Sequence, residues 1–240
     1  MHCLLTIQYY TNFQQITIFT LEFSRFFSYN SKNTKNKNKK MSDAGTNVVI
    51  EKAEELKQAG EHEQAIKLCE RVLMSDLECA EAYEEIGDNF LSLKEYFKAK
   101  KALEMAIKIN PESANANYLI GFLYSCFGKW KTSIEYLEKA DKVYQNHPEI
   151  LRCLGWSMYH EGHKVKGIVL LERSLSLSPE DPLIMSDLGV IYMNEKNFEK
   201  AEKLFSKVVQ IEPGNKKAEE CLNAIRFFRR EYDKLKKRKA

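Results

Sequence analysis

Four glycines, Gly87, Gly121, Gly155 and Gly189, stand 34 residues apart along the 240-residue chain. The same step relates Ile86, Ile120, Leu154 and Leu188, and Pro179 and Pro213 lie two and three steps beyond Pro111. A period of this length, held without insertion, restricts the chain to stacked supersecondary units. None of them can bury its apolar face alone, and they share one continuous core. It makes a binding surface the first functional expectation and an enclosed active site a remote one.

The unit from Ala80 to Ser113 shows the local structure. Tyr83, Ile86, Gly87 and Phe90 lie on one helical stripe, and Tyr96, Ala99, Leu103, Ala106 and Ile107 on another, so two short amphipathic helices are predicted. Gly87 and Ala99 are small where the stripes should meet, which lets the two axes approach closely. Tyr83, Phe90 and Tyr96 are expected to fill the volume around them. Pro111 cannot continue the second helix and suits the first turn of a succeeding one. The fold class is therefore all-α.

In this pattern the chain resembles the tetratricopeptide repeat family: a bulky residue, Leu, Gly and Tyr in the first helix, then Ala, an aromatic or Leu, Ala and a closing Pro in the second. The second unit carries it as Tyr83, Ile86, Gly87, Phe90, Ala99, Leu103, Ala106 and Pro111. The third carries Asn117, Ile120, Gly121, Tyr124, Ser133, Leu137 and Ala140, with Gln145 at the expected Pro. The fourth has Leu151, Leu154, Gly155, Met158, Gly167, Leu171, Ser174 and Pro179; the fifth has Met185, Leu188, Gly189, Tyr192, Ala201, Phe205, Val208 and Pro213. A degenerate first unit keeps Ala53, Leu56, Gly60, Ala65 and Val72, while Lys52 and Leu77 depart from the pattern. A charged Lys52 suits an end unit with one face in water. The resemblance implies a right-handed α-solenoid of five helix-turn-helix repeats, 46–79, 80–113, 114–147, 148–181 and 182–215. A C-terminal capping helix with a basic tail, 216–240, would come after them, continuing the register through Ala218, Leu222 and Ile225.

It also implies a peptide groove lined by the first helices. The corresponding residues are Glu81, Glu84, Asp88 and Leu91, then Asn115, Tyr118, Phe122 and Ser125, then Glu149, Arg152, Trp156 and Tyr159, and lastly Leu183, Ser186, Val190 and Met193. Such a groove would be acidic at its start and aromatic to apolar beyond. Tyr118, Phe122, Trp156 and Tyr159 either form a platform for a peptide or pack against neighbouring helices; large rigid aromatics are common interface anchors. Glu81, Glu84 and Asp88 either favour a basic residue of the ligand or form a solvated face. Members of the family that grip a chaperone's C-terminal carboxylate use a cationic clamp. The matching places here hold Ile50, Glu54, Glu85, Asn115 and Leu119, so no carboxylate-clamp chaperone is expected as partner.

Charge is distributed unevenly. The formal net charge is +3, yet residues 41–225 hold 23 basic and 31 acidic side chains and both ends are basic. In the tail, Arg226, Arg229, Arg230, Lys234, Lys236 and Lys237 interleave with Phe227, Phe228 and Tyr232. That segment either neutralises phosphates of lipid or nucleic acid or complements a helix C-terminus; nucleic acid and membrane are not the expected partners. Residues 1–45 are expected to be a low-complexity segment outside the repeats: 30–40 read NSKNTKNKNKK, which cannot build a core. Met1–Leu21 is a poor targeting or spanning segment, interrupted by Gln8, Asn12, Gln14 and Gln15. Met41 opens a compact polar start, MSDAG, and is expected to be the physiological start; a disordered basic arm and a transit peptide are the alternatives for what precedes it.

Six cysteines without a CxxC pair predict reduced thiols and a cytoplasmic setting. His160 and His163, with Glu161 between them, are expected in an interhelix turn, as are His62 and His147; with no third ligand, no metal is expected. No phosphate loop, G-x-S-x-G or H-E-x-x-H occurs. No cofactor and no enzymatic activity are expected. The function expected is a scaffold or adaptor that binds a partner's apolar, basic-tolerant peptide segment. The alternatives are a structural subunit or self-associating oligomer whose groove is permanently filled, and anionic-surface binding by the tail.

Overall fold

The computed structural model describes residues 44–237, and every element in them is helical. The first unit holds α1 (Ala44–Gln58), α2 (His62–Ser75), α3 (Ala80–Ser92), α4 (Tyr96–Ile109), α5 (Ala114–Cys126) and α6 (Trp130–Val143). The second holds α7 (Pro148–Glu161), α8 (Lys164–Leu177), α9 (Pro182–Asn194), α10 (Phe198–Ile211) and α11 (Lys216–Lys237). The chain is an all-α solenoid of helical repeats. Helices α3, α5, α7, α9 and α11 start 34 residues apart, and so do α2, α4, α6, α8 and α10. Expectations for residues 1–43 and 238–240 lie outside the described residues.

Within each unit, consecutive helices pack as antiparallel hairpins and each second helix also packs on the first helix of the next pair. First helices touch as well, α3 meeting α1 and α5 in the first unit and α9 meeting α7 in the second. The repeated glycines sit where hairpin partners come closest. A Cβ on Gly87 would lie 2.6 Å from the Leu103 side chain, one on Gly121 2.8 Å from Leu137, and one on Gly189 2.7 Å from Phe205. In α7 and α8 two glycines face each other: a Cβ on Gly155 would lie 2.8 Å from the Gly167 carbonyl oxygen, and one on Gly167 2.5 Å from that of Gly155. Leu103, Leu137, Leu171 and Phe205, spaced by the same 34 residues, fill the resulting seams and are buried. Each such side chain contributes about 1.5–3 kcal/mol through burial.

Helix ends are set locally. Ser113 accepts a hydrogen bond from the Ala116 amide and Asp181 one from the Leu183 amide, each an N-cap. Pro148 and Pro182 occupy first-turn positions. The turn inside each hairpin places one residue in the left-handed region at the repeat step: Gly60, Lys94, Gly128, Gly162 and Lys196, with φ of 79°, 61°, 66°, 106° and 60°. Lysine at two of these positions accepts a conformation that costs an L-residue roughly 1–2 kcal/mol.

Three details differ from expectation. Tyr83, Phe90 and Tyr96 are only half-buried, Phe90 lying under the Lys98 ammonium at 5.1 Å. His160 and Glu161 belong to the last turn of α7, because that helix runs on to the left-handed Gly162. His62 begins α2, and His147, the residue before α7, is buried. Among the described residues no helix is long and apolar enough to cross a membrane.

Gly167→Ala is expected to cost about 1–3 kcal/mol, since its new methyl meets backbone that cannot rotate away. Gly87→Ala, which meets a flexible leucine side chain, should cost less. Urea denaturation of both variants followed by helicity checks the order, and equal midpoints would refute it.

Candidate functional site

The first helices carry the groove candidates, and their charges are matched internally. On α3, Glu85 and Asp88 converge on Lys57 from α1, whose Nζ donates to Glu85 Oε1 at 2.9 Å, to Glu85 Oε2 at 3.0 Å and to Asp88 Oδ2 at 2.7 Å. All three are buried. Burial pushes the Glu85 carboxyl up to about 8 and raises that of Asp88, with Lys57 opposing both shifts. Glu84, also buried, accepts from Ser113 Oγ and from Asn115 Nδ2 at 2.8 Å, yet burial still pushes its carboxyl up to about 7. Glu81 stays exposed at the start of the helix. The acidic end therefore presents one outward carboxylate, while Glu84 and Asp88 are spent on neighbouring helices. On α5, Tyr118 and Phe122 are buried with ring centroids 6.4 Å apart. The Asn115 Oδ1 is buried and has no hydrogen-bond partner.

The second unit repeats the arrangement with an arginine. Arg152 on α7 donates through Nε to Glu149 at 2.9 Å and through Nη1 to Asp187 of α9 at 2.5 Å. Burial lifts the Asp187 carboxyl to about 6 against the pull of Arg152. Glu85 and Asp187 stand at the same repeat position, three steps of 34 apart, and each anchors a buried cation. Trp156 is buried beside His160, ring centroids 4.5 Å apart, and burial brings the His160 imidazole down to about 4. The Trp156 Nε1–H is buried without an acceptor. Tyr159 donates to Glu195 at 2.7 Å, and Val190 and Met193 are buried on α9.

Lys57, Asp187 and Glu195 are partners that the groove positions did not include. Glu149 and Arg152, three apart on one helix, carried a legible signal. Lys57 carried a fainter one, a cation four residues after Ala53 on an apolar stripe. In α11, Arg226 and Arg229 both bind Glu202 and Lys234 binds Glu231, while Lys236 lies over the Tyr232 ring and Arg230 and Lys237 are exposed. Among the described residues no group of three His, Cys, Asp or Glu side chains is placed to hold a metal, and no disulfide links the five cysteines. Burial pushes the Cys69 thiol up to about 12, so it is unreactive at neutral pH.

Paired helices repeating at 34 residues, with side-chain networks rather than a catalytic constellation on the first helices, define a helical-repeat interaction scaffold. Residues 80–113 and 161–225 match the tetratricopeptide repeat family, so the chain carries tetratricopeptide repeats. It is similar to anaphase-promoting complex subunit 3 of Schizosaccharomyces pombe, 28% identical over 95 residues, which cover 40% of this chain and 14% of that protein. It is similar also to human superkiller complex protein 3, 27% identical over 97 residues, covering 40% of this chain and 6% of that one. The chain thus spans a small fraction of these relatives' lengths. The crystal structure of YrrB, described as a TPR protein with an unusual peptide-binding site, shares the fold with a TM-score of 0.55 at 22% identity, covering 82% of this chain and 97% of that one.

Removing the buried cation should expose the cost of the charges it neutralises. Lys57→Met strands Glu85 and Asp88 and should cost about 3–5 kcal/mol, with a larger loss at pH 8 than at pH 6, where the carboxyls can be protonated. Urea midpoints at the two pH values test this. Glu84 in the folded chain holds its proton to about pH 7, whereas the unfolded chain releases it near 4.5. The folded state binds more protons in that window, so stability falls as pH rises from about 5 to about 7. Glu84→Gln should make that fall shallower, and an identical slope would show that Glu84 does not titrate there.

Proposed function

We propose that this chain is a non-enzymatic cytoplasmic adaptor that holds a peptide segment of a partner protein against the first helices of its repeats. The five repeats are assigned to 46–79, 80–113, 114–147, 148–181 and 182–215, with a capping helix after them. The observation that carries the reading is the chemistry of the first-helix faces. Their charges are neutralised by Lys57 in one unit and by Arg152 with Asp187 in the other. What is left over is rings and unspent amide-like groups, the Asn115 Oδ1 acceptor in the first unit and the Trp156 Nε1–H donor in the second. Both atoms are buried in the free chain, where leaving such groups unmatched costs about 1–3 kcal/mol each; a peptide whose binding moves the neighbouring side chains aside would supply an N–H in the first unit or a C=O in the second. Aromatic anchors would then take the ligand's apolar side chains, and the exposed Glu81 would suit a basic residue near one end. The relatives' names place them in multiprotein complexes, which supports the scaffold reading, as does a solved relative described by a peptide-binding site.

The test uses the full chain as bait in lysate of its source organism, with captured proteins read by mass spectrometry. Trp156→Phe keeps the ring and removes the donor. It is expected to weaken the captured partner's affinity by about 1 kcal/mol, about fivefold. Tyr118→Ala should weaken it further. A partner bound equally by all three chains would move the site off the first helices.

A further inference from the structure

The first unit is electrically divided. Residues 44–93 hold four basic and twelve acidic side chains, a net of −8, whereas residues 94–131 hold seven lysines and three glutamates, a net of +4. The lysines of this second stretch are interleaved with aromatic rings on α4, the end of α5 and the start of α6. Phe97 is 71% exposed and Phe127 54% exposed. Tyr96 meets Phe127 edge-on, centroids 5.4 Å apart. Lys101 sits over the Phe97 ring at 4.4 Å, and Lys100 and Lys129 both approach the Tyr124 ring, at 6.0 Å and 5.8 Å. Tyr124 in turn stacks on Tyr136, at 5.8 Å, and Lys139 lies over that second ring at 5.1 Å.

We propose that this lysine-aromatic face is a docking site for an acidic protein segment that carries an apolar or aromatic anchor residue. It goes beyond the peptide-binding face proposed above and does not depend on it: Tyr118 and Phe122 are not part of it. Exposed rings rimmed by charge are the composition of an interface, apolar at the centre and polar at the edge. Neither Lys101 nor Lys129 has a carboxylate partner among the described residues, so each ammonium has hydrogen-bonding capacity for one supplied in trans. The rings also decide between ligand classes. A nucleic-acid base needs an open ring face on which to stack, and here one face of each of Phe97, Tyr124 and Tyr136 is covered by an ammonium group or by another ring. A carboxylate needs only the ammonium, and the exposed parts of the Phe97 and Phe127 rings remain for an apolar anchor. The face also lacks arginine, whose planar fork is the preferred reader of phosphate. Charge steering would draw an acidic segment to this pole of the unit rather than to residues 44–93.

The full chain is titrated with a random glutamate-tyrosine copolymer, with poly-glutamate and with oligouridylate. Three variants run in parallel: Phe97→Ala with Phe127→Ala, Lys101→Glu with Lys129→Glu, and Trp156→Phe. All the residues in the first two variants are exposed, so helicity should be retained and is checked by circular dichroism. The copolymer is expected to bind more tightly than poly-glutamate and to weaken with salt. Either double variant should lose about tenfold in affinity, while Trp156→Phe binds as the parent does. That last arm separates this proposal from the first-helix reading, since each can fail without the other. Absence of copolymer binding, equal binding by the double variants, poly-glutamate as tight as copolymer, or preference for oligouridylate would each overturn the proposal. So would self-association that the double variants abolish without any copolymer binding, which would make a second copy of the chain the occupant.

Discussion

Four of the five described helix hairpins depend on two helices meeting at a position with no side chain, and the first has the small Ala53 there. At Gly87, Gly121, Gly155 and Gly189 the first helix of a hairpin is approached so closely that a single methyl would overlap its partner. That approach lets Leu103, Leu137, Leu171 and Phe205 close the seam completely, and packing at interior density makes each hairpin stiff. A left-handed residue in each hairpin turn then helps bring the chain back as the second helix. Because each second helix also packs on the next first helix, the spacing set at one glycine is handed on along the unit.

A repeat built this way fixes the hairpin seams, and here other first-helix positions carry buried charges that pair within the protein. Burying an ion pair gives little net stability, because desolvation offsets the attraction. The pairs act instead through geometry. Lys57 ties α1 to α3, and Arg152 ties α7 to α9. Both join first helices of successive repeats, so they help set how one repeat sits on the next within a unit. Charge not consumed in this way collects elsewhere, as lysines over aromatic rings on α4, α5 and α6.

Much of this was legible in the sequence, for a physical reason. A 34-residue period imposes the same packing problem at every step, so glycine, the seam-filling leucine and the helix starts recur where the solution recurs. The left-handed turn positions were less visible, because at Lys94 and Lys196 the residue type gives no sign of the backbone it must adopt. The burial of Tyr118, Phe122 and Trp156 was not legible either. An aromatic residue at a groove position is equally consistent with a solvent-facing platform and a covered one, and only its surroundings separate the two. Placing His160 in a turn was a boundary error, since α7 runs on until Gly162 provides a left-handed end.

By itself the sequence determined that this protein is a stack of helix pairs, where each pair begins, and which small residues let the helices touch. Those properties arise from local periodicity and from the volume of single side chains. Only the tertiary structure decided which charges neutralise one another and which rings are exposed. Lys57 meets Asp88 across 31 residues of chain, and Arg152 meets Asp187 across 35. Pairings between separate helices depend on distances of a few ångströms that no period encodes.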